Sequence, residues 1–242
     1  MSKKTAAIIL AAGKGSRMKS NLPKAMMPVA GKPMIRHILN TLDKMNFDKI
    51  VVVTSPDGDL VRKEIAPHDY CIQDQQLGTG HAVNCAKDSL NGFDGKVLVV
   101  YCDNPLITQN TFERALNKLD EGFSVVVLGF TPQDAARYGR LKMKGDELES
   151  IVEYKDATEE EKNIRFCNSG VMAFDGKVLF DLLSKINSNN AAGEYYLTDT
   201  VKIARQMGLK CSAIETSAEE VAGANTQEEL AQLETYLKRR GA

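Results

Sequence analysis

The chain has 242 residues, with 31 lysines and arginines against 32 aspartates and glutamates, a formal net charge of -1, and 43% hydrophobic residues. That length suits one large domain with a substantial core, and the charge balance offers no basic excess for holding a nucleic-acid backbone. No apolar run approaches the roughly 20 residues that span a bilayer. The start, Met1-Ser2-Lys3-Lys4, runs directly into a strand-like segment and reads poorly as a signal peptide. Five dispersed cysteines without a C-x-x-C pair fit reduced thiols in a cytoplasmic protein, and three scattered histidines form no zinc-ligand spacing.

In chain order, residues 5–12 read as a buried strand that delivers a glycine-rich loop, Gly13-Lys14-Gly15-Ser16-Arg17-Met18, with Pro23-Lys24 behind it. Glycines let backbone N–H groups approach an anion closely, Arg17 can fork onto phosphate oxygens, and Lys24 adds a compact charge. The loop is neither a dinucleotide fingerprint, which needs a third glycine where Met18 stands, nor a Walker A loop. Residues 34–45 read as a helix after Pro33, 49–55 as a strand, 70–73 as a short strand and 81–90 as a helix. A buried strand over 96–102, a helix over 111–121 and a strand over 124–129 follow. This βαβ rhythm predicts an α/β fold, a Rossmann-like, mostly parallel sheet with helices on both faces.

From residue 131 the rhythm breaks. Gly145-Asp146 between 139–143 and 148–154 signals a hairpin. A strand over 168–174, helices over 177–186 and 198–207, a strand over 210–215 and a final amphipathic helix over 226–239 complete the chain. The expected organisation is one domain over 1–242: a first half (1–130), an inserted part (131–220) that walls the ligand, and a last segment (221–242).

Ligands of open parallel sheets bind beyond the carboxyl ends of the strands. Three signals fall there: the first loop, the segment 73–80 and the tip 101–106. Gln73, Gln75 and Gln76 can hydrogen-bond a base, while Thr79 serves equally as a helix cap. Asp103 emerges from a buried strand, where a carboxylate suits a hard divalent cation or caps the turn before Pro105.

These segments, with Tyr138-Gly139-Arg140, Ile151 through Ala157, Asn168-Ser169-Gly170, Gly193 through Asp199 and Gly223-Ala224-Asn225, resemble in order the sugar-nucleotide pyrophosphorylase (nucleotidyltransferase) family. Within it they are most similar to the uridyltransferase domains that accompany a glucosamine-1-phosphate acetyltransferase. The resemblance implies a Mg²⁺-dependent enzyme joining UTP and N-acetylglucosamine-1-phosphate into UDP-N-acetylglucosamine and pyrophosphate. It implies that Leu10, Ala11, Ala12, Gly13, Gln73, Gly78 and Thr79 hold the nucleotide, and that Arg17, Lys24 and Asp103 are catalytic. Tyr101, Cys102, Gly139, Glu153, Asn168, Tyr196 and Thr198 would hold the sugar phosphate, with Asp103 and Asn225 on the metal. Small-molecule substrates are the partners implied, without nucleic acid or membrane, on a monomer or weak homo-oligomer.

The family's Tyr-Gly-Asp is here Tyr101-Cys102-Asp103, a change expected to reshape the sugar pocket and to offer a target for thiol reagents. The acetyltransferase hexapeptide repeat is absent from these 242 residues, so no acetyltransferase activity is expected of them. Other readings stay open: a CTP-dependent enzyme, a different sugar-1-phosphate or alcohol phosphate as acceptor, or a silent nucleotide-binding regulator.

Overall fold

A computed structural model describes residues 4–13, 15, 18, 20–135 and 137–241. Its strands are β1 (Thr5–Leu10), β2 (Pro28–Val29), β3 (Lys32–Pro33), β4 (Lys49–Thr54), β5 (Asp69–Ile72), β6 (Lys96–Tyr101), β7 (Val125–Phe130), β8 (Arg140–Lys144), β9 (Glu147–Val152), β10 (Cys167–Asp175) and β11 (Cys211–Glu215). Its helices are α1 (Met34–Asp43), α2 (Asp59–Ile65), α3 (Thr79–Asn84), α4 (Gln109–Lys118), α5 (Glu159–Lys162), α6 (Gly176–Ser184), α7 (Asp199–Gln206) and α8 (Gln227–Gly241).

Among the described residues, seven strands form one continuous sheet in the order β11-β7-β10-β6-β1-β4-β5, with the β8–β9 hairpin attached to β10. The strand β1 explains the architecture. Ala7 and Ile9 enter one core with α1, α2 and α4, while Ala6, Ile8 and Leu10 enter a second with α3, α6 and α7. A strand buried on both faces needs an unbroken apolar run, which Thr5–Leu10 supplies. The helices meet it with amphipathic stripes, such as Ile35, Ile38, Leu39 and Leu42 of α1.

Register decides where the loops emerge. Leu10 pairs with both Val53 and Tyr101, and Thr54 pairs with Ile72. The parallel strands β1, β4, β5 and β6 therefore end at one level, and their following loops share one edge. The strand β10 runs antiparallel between β6 and β7, so its first residues arrive at that same edge.

The alternating α/β sheet matches the expectation. The segment 131–220 builds no separate sheet: β10 and β11 are strands of the central sheet, and the β8–β9 hairpin stands off it. The hairpin turns at Gly145 with φ +59°. The expected helix 81–90 is shorter: α3 starts at Thr79, stops at Asn84, and a 3-10 turn covers Asp88–Leu90. Sequence reading missed the seven-residue α2, the four-residue α5 and the β2–β3 pair, all too short to show a periodic pattern. The helix α8 lays Leu230 and Leu233 on Met18, Met27, Val29, Met34 and Leu106, closing a third, small core over the first loop. No helix among the described residues is long and apolar enough to cross a membrane.

Candidate active site

Two adjoining cavities open at the shared edge. The first, of about 290 Å³, is lined by Leu10, Ala12, Gly13, Lys24, Gln73, Gln76, Gly78, Thr79, Ala82, Tyr101, Cys102, Asp103 and Glu194. The second, of about 460 Å³, is walled by Gly139, Glu153, Asn168, Tyr196, Thr198 and Asn225 among others. Thr79, Tyr101, Asp103 and Glu194 line both.

The first cavity is loop backbone held in place by a few side chains. The Gln76 amide nitrogen donates to Ala12 O at 2.6 Å, clasping the loop after β1 to the loop after β5. Gln73, buried beneath, donates from its amide nitrogen to Gly78 O at 3.2 Å, and that nitrogen lies 3.1 Å from His81 Nδ1. Gly78 has φ +114°, and a Cβ there would lie 2.6 Å from Tyr195 O, so only glycine fits. Thr79 does not cap α3. Gly78 occupies the cap position, and the Thr79 hydroxyl accepts from the Leu197 N–H at 3.0 Å and bonds the Tyr101 side chain. With Tyr195 N–H to Leu77 O and Gly80 N–H to Tyr195 O, both 2.8 Å, this zips segment 77–80 to segment 195–197 and joins the two cavities.

The second cavity is assembled from side chains distant in sequence. The β10 ladder shifts register between Asn168 and Met172, a bulge that turns Asn168 to Gly170 toward the site. The Asn168 side chain accepts from the Gly170 N–H at 2.9 Å, and its N–H donates to Gly139 O at 2.8 Å. Glu153 Oε1 accepts from the Thr198 hydroxyl at 3.0 Å. Burial raises the Glu153 carboxyl above its ordinary pKa, opposed by that hydrogen bond and reinforced by Asp156 and Asp199. Burial raises the Tyr196 hydroxyl in the same way. Arg140, wholly buried beside this cavity, donates to the carbonyls of Ala135, Tyr138 and Lys162, pinning the loop that carries Tyr138 and Gly139.

The junction holds the charge. The Lys24 ammonium donates to Asp103 Oδ2 and, at 2.8 Å, to Asn225 Oδ1. Two oxygens from segments 122 residues apart thus converge on one cationic point. A carboxylate and an amide carbonyl are hard oxygen donors of the kind that suit Mg²⁺, so the residues fit that ion. Among the described residues no group of three or more His, Cys, Asp or Glu side chains could hold a metal. Asn104 helps to place the pair, since its amide nitrogen donates to Val221 O at 2.9 Å from within the core. Glu229 of α8 accepts from the Asn225 N–H at 2.7 Å.

Most expected site residues come together here, with three qualifications. Arg17, with Lys14 and Ser16, lies outside the described residues. Ala11 faces the core and spends its N–H on Val53 O at 2.9 Å. Cys102 lines the first cavity, not the second, and burial pushes its thiol up to about 12. Such a thiol is a poor nucleophile, which argues against the expected thiol-reagent target. Sequence reading overlooked Glu194, Asn104, Arg140 and Glu229. Glu229 carried a local signal, since Thr226-x-x-Glu229 is the pattern of a helix capping box, while Arg140, Glu194 and Asn104 lay inside the segments named above with no role assigned to them.

Comparison with known proteins agrees with this architecture. Residues 7–162 match the MobA-like NTP transferase domain. The bifunctional protein GlmU of Paramagnetospirillum magneticum is 49% identical over 241 residues, 99% of this chain and 54% of the relative. That of Rhodospirillum rubrum is 50% identical over 239 residues, 98% of this chain and 54% of the relative. The chain thus spans about half the length of these curated relatives. A 2.76 Å crystal structure of a Bacillus anthracis protein assigned as a glucose-1-phosphate thymidylyltransferase, in complex with sucrose, superposes with a TM-score of 0.77. It covers 96% of this chain and 94% of that one at 22% identity, a likeness of fold. On sequence and on fold, the chain belongs to the family of MobA-like NTP transferase domains.

Proposed function

We propose that this chain transfers a uridylyl group from UTP to N-acetylglucosamine-1-phosphate, releasing pyrophosphate and forming UDP-N-acetylglucosamine. One observation carries the reading: Asp103, paired through a shared cation with Asn225, stands in the wall common to both cavities. A group there faces the two reactants of a transfer at once. The name GlmU on relatives about half identical to this chain supports the same choice of substrates.

The nucleotide occupies the first cavity and the sugar phosphate the second. Because Gln73 spends its amide nitrogen on Gly78 O, its oxygen is what that amide offers a base, an acceptor matched to the N3–H of uracil and mismatched to the N3 of cytosine. The phosphomonoester oxygen attacks the α-phosphorus in line as pyrophosphate departs. That oxygen is already anionic at neutral pH, so no general base and no covalent intermediate are required. Asp103 and Asn225 would hold Mg²⁺, which supplies neutralisation of phosphate charge. Lys24 and Arg17 bind the polyphosphate and the departing pyrophosphate, while Glu153, Asn168 and Thr198 orient the sugar. Catalysis is positioning plus charge stabilisation.

Pyrophosphate release, measured with Mg²⁺ across four nucleoside triphosphates and a panel of sugar-1-phosphates, tests the reading. UTP with N-acetylglucosamine-1-phosphate is the expected pair. Release with a different pair reassigns the substrates, and none with any pair removes the activity.

A further inference from the structure

A phosphomonoester brings as many as two negative charges into the second cavity, whose walls already carry the carboxylates of Asp103, Glu153 and Glu194. Like charges at such range repel, so an acceptor of this class is favoured by a further cation on its own side, beyond the ion that Asp103 and Asn225 would hold. Lys24 lines the first cavity and is engaged with Asp103 and Asn225. Among the described residues lining the second, Arg137 is the one arginine or lysine.

Its setting is built rather than incidental. Nη2 of Arg137 donates to Glu229 Oε1 at 2.6 Å, and the guanidinium sits 5.6 Å from the centroid of the Tyr138 ring. The second oxygen of Glu229 accepts from the Asn225 N–H, so one carboxylate sets both the cation and the backbone of the Asn225 segment. The side chain remains 61% exposed, open to an incoming ligand. The contact with Glu229 engages a single nitrogen and a further hydrogen bond reaches the Tyr138 side chain, while a guanidinium presents five N–H donors in a planar fork that matches two phosphate oxygens.

We propose that Arg137 binds the phosphate group of the acceptor and so selects a phosphorylated sugar over the free sugar. The proposal rests on the reading of the second cavity as the acceptor site. Calorimetric titration of the intact chain, in the presence of UTP's non-hydrolysable α,β-methylene analogue and Mg²⁺, measures it without turnover. The ligands are N-acetylglucosamine-1-phosphate and N-acetylglucosamine. Arg137→Gln is expected to weaken binding of the sugar phosphate about tenfold to a hundredfold while leaving the free sugar and the thermal midpoint unchanged. Arg137→Lys recovers part of the loss, since it restores the charge without the fork. Wild-type affinity of Arg137→Gln for the sugar phosphate overturns the proposal, as does equal weakening of both ligands, which marks a structural role. Failure of the wild-type chain to bind the sugar phosphate at all removes the acceptor-site reading itself, and this inference with it.

Discussion

The two cavities meet at Asp103 yet are held by different forces. Around the first, the parallel strands end in register and the loops are clasped by contacts such as Gln76 to Ala12 O. Around the second, a bulged strand, a hairpin and two helix ends are tied by Glu153–Thr198, Arg140 with its carbonyls, and Arg137–Glu229–Asn225. The difference teaches that one wall is set chiefly by the register of the sheet, with Gln76 and Gly78 fixing its loops. The other depends on individual polar side chains, each of which can be removed.

The largest test acts on what the cavities share. Asp103→Ala should lower Mg²⁺-dependent pyrophosphate release by on the order of 10³-fold, the loss typical of a preorganised charge-stabilising group. The circular dichroism spectrum should stay unchanged; a folded variant with normal turnover would take Asp103 out of the mechanism. Arg140→Met should act on the second wall alone. Its buried donors satisfy several carbonyls, so stability in urea should fall by about 2–4 kcal/mol. The KM for the sugar phosphate should rise more than that for UTP; an equal rise in both would erase the distinction between the walls.

Glu153→Gln separates charge from shape. Because burial raises the carboxyl above its unfolded value, the folded chain holds the proton more tightly, so this group's contribution to stability falls as pH rises through the shifted range. The glutamine variant, which cannot ionise, should melt above wild type near neutral pH, with the gap closing as pH is lowered. Its acceptor KM should increase about tenfold, the lower end for losing a hydrogen bond to a charged group. A thermal midpoint below wild type at every pH would show that the ionised form is favoured instead. The smallest effect is expected at Cys102, where iodoacetamide at neutral pH should leave turnover unchanged. Mass spectrometry should find that thiol unmodified, since it is buried with its pKa near 12.

Legibility in the sequence divides along the same line. The run Thr5–Leu10, the Gly78 loop and the tip at Asp103 are contiguous words, because a strand buried on both faces and a glycine-only turn each leave a local mark. The hairpin at Gly145-Asp146 was equally plain. Arg140, Asn104 and Glu194 stood within marked segments but their roles were not legible, since nothing in a short window says which distant carbonyl or cavity a polar side chain will meet.

The amino-acid sequence by itself determined the alternation of strands and helices, the placement of the glycine loops at strand ends, and the residue types a phosphate-handling site requires. Only the tertiary structure decided that segment 131–220 feeds strands into the central sheet, that Cys102 lines the first cavity and not the second, and that Asp103 and Asn225 address one cation. The reason is range. Backbone conformation and burial patterns are set within a few residues, whereas pairing across 122 positions depends on strand order and register, which arise only when the whole sheet closes around its two cores.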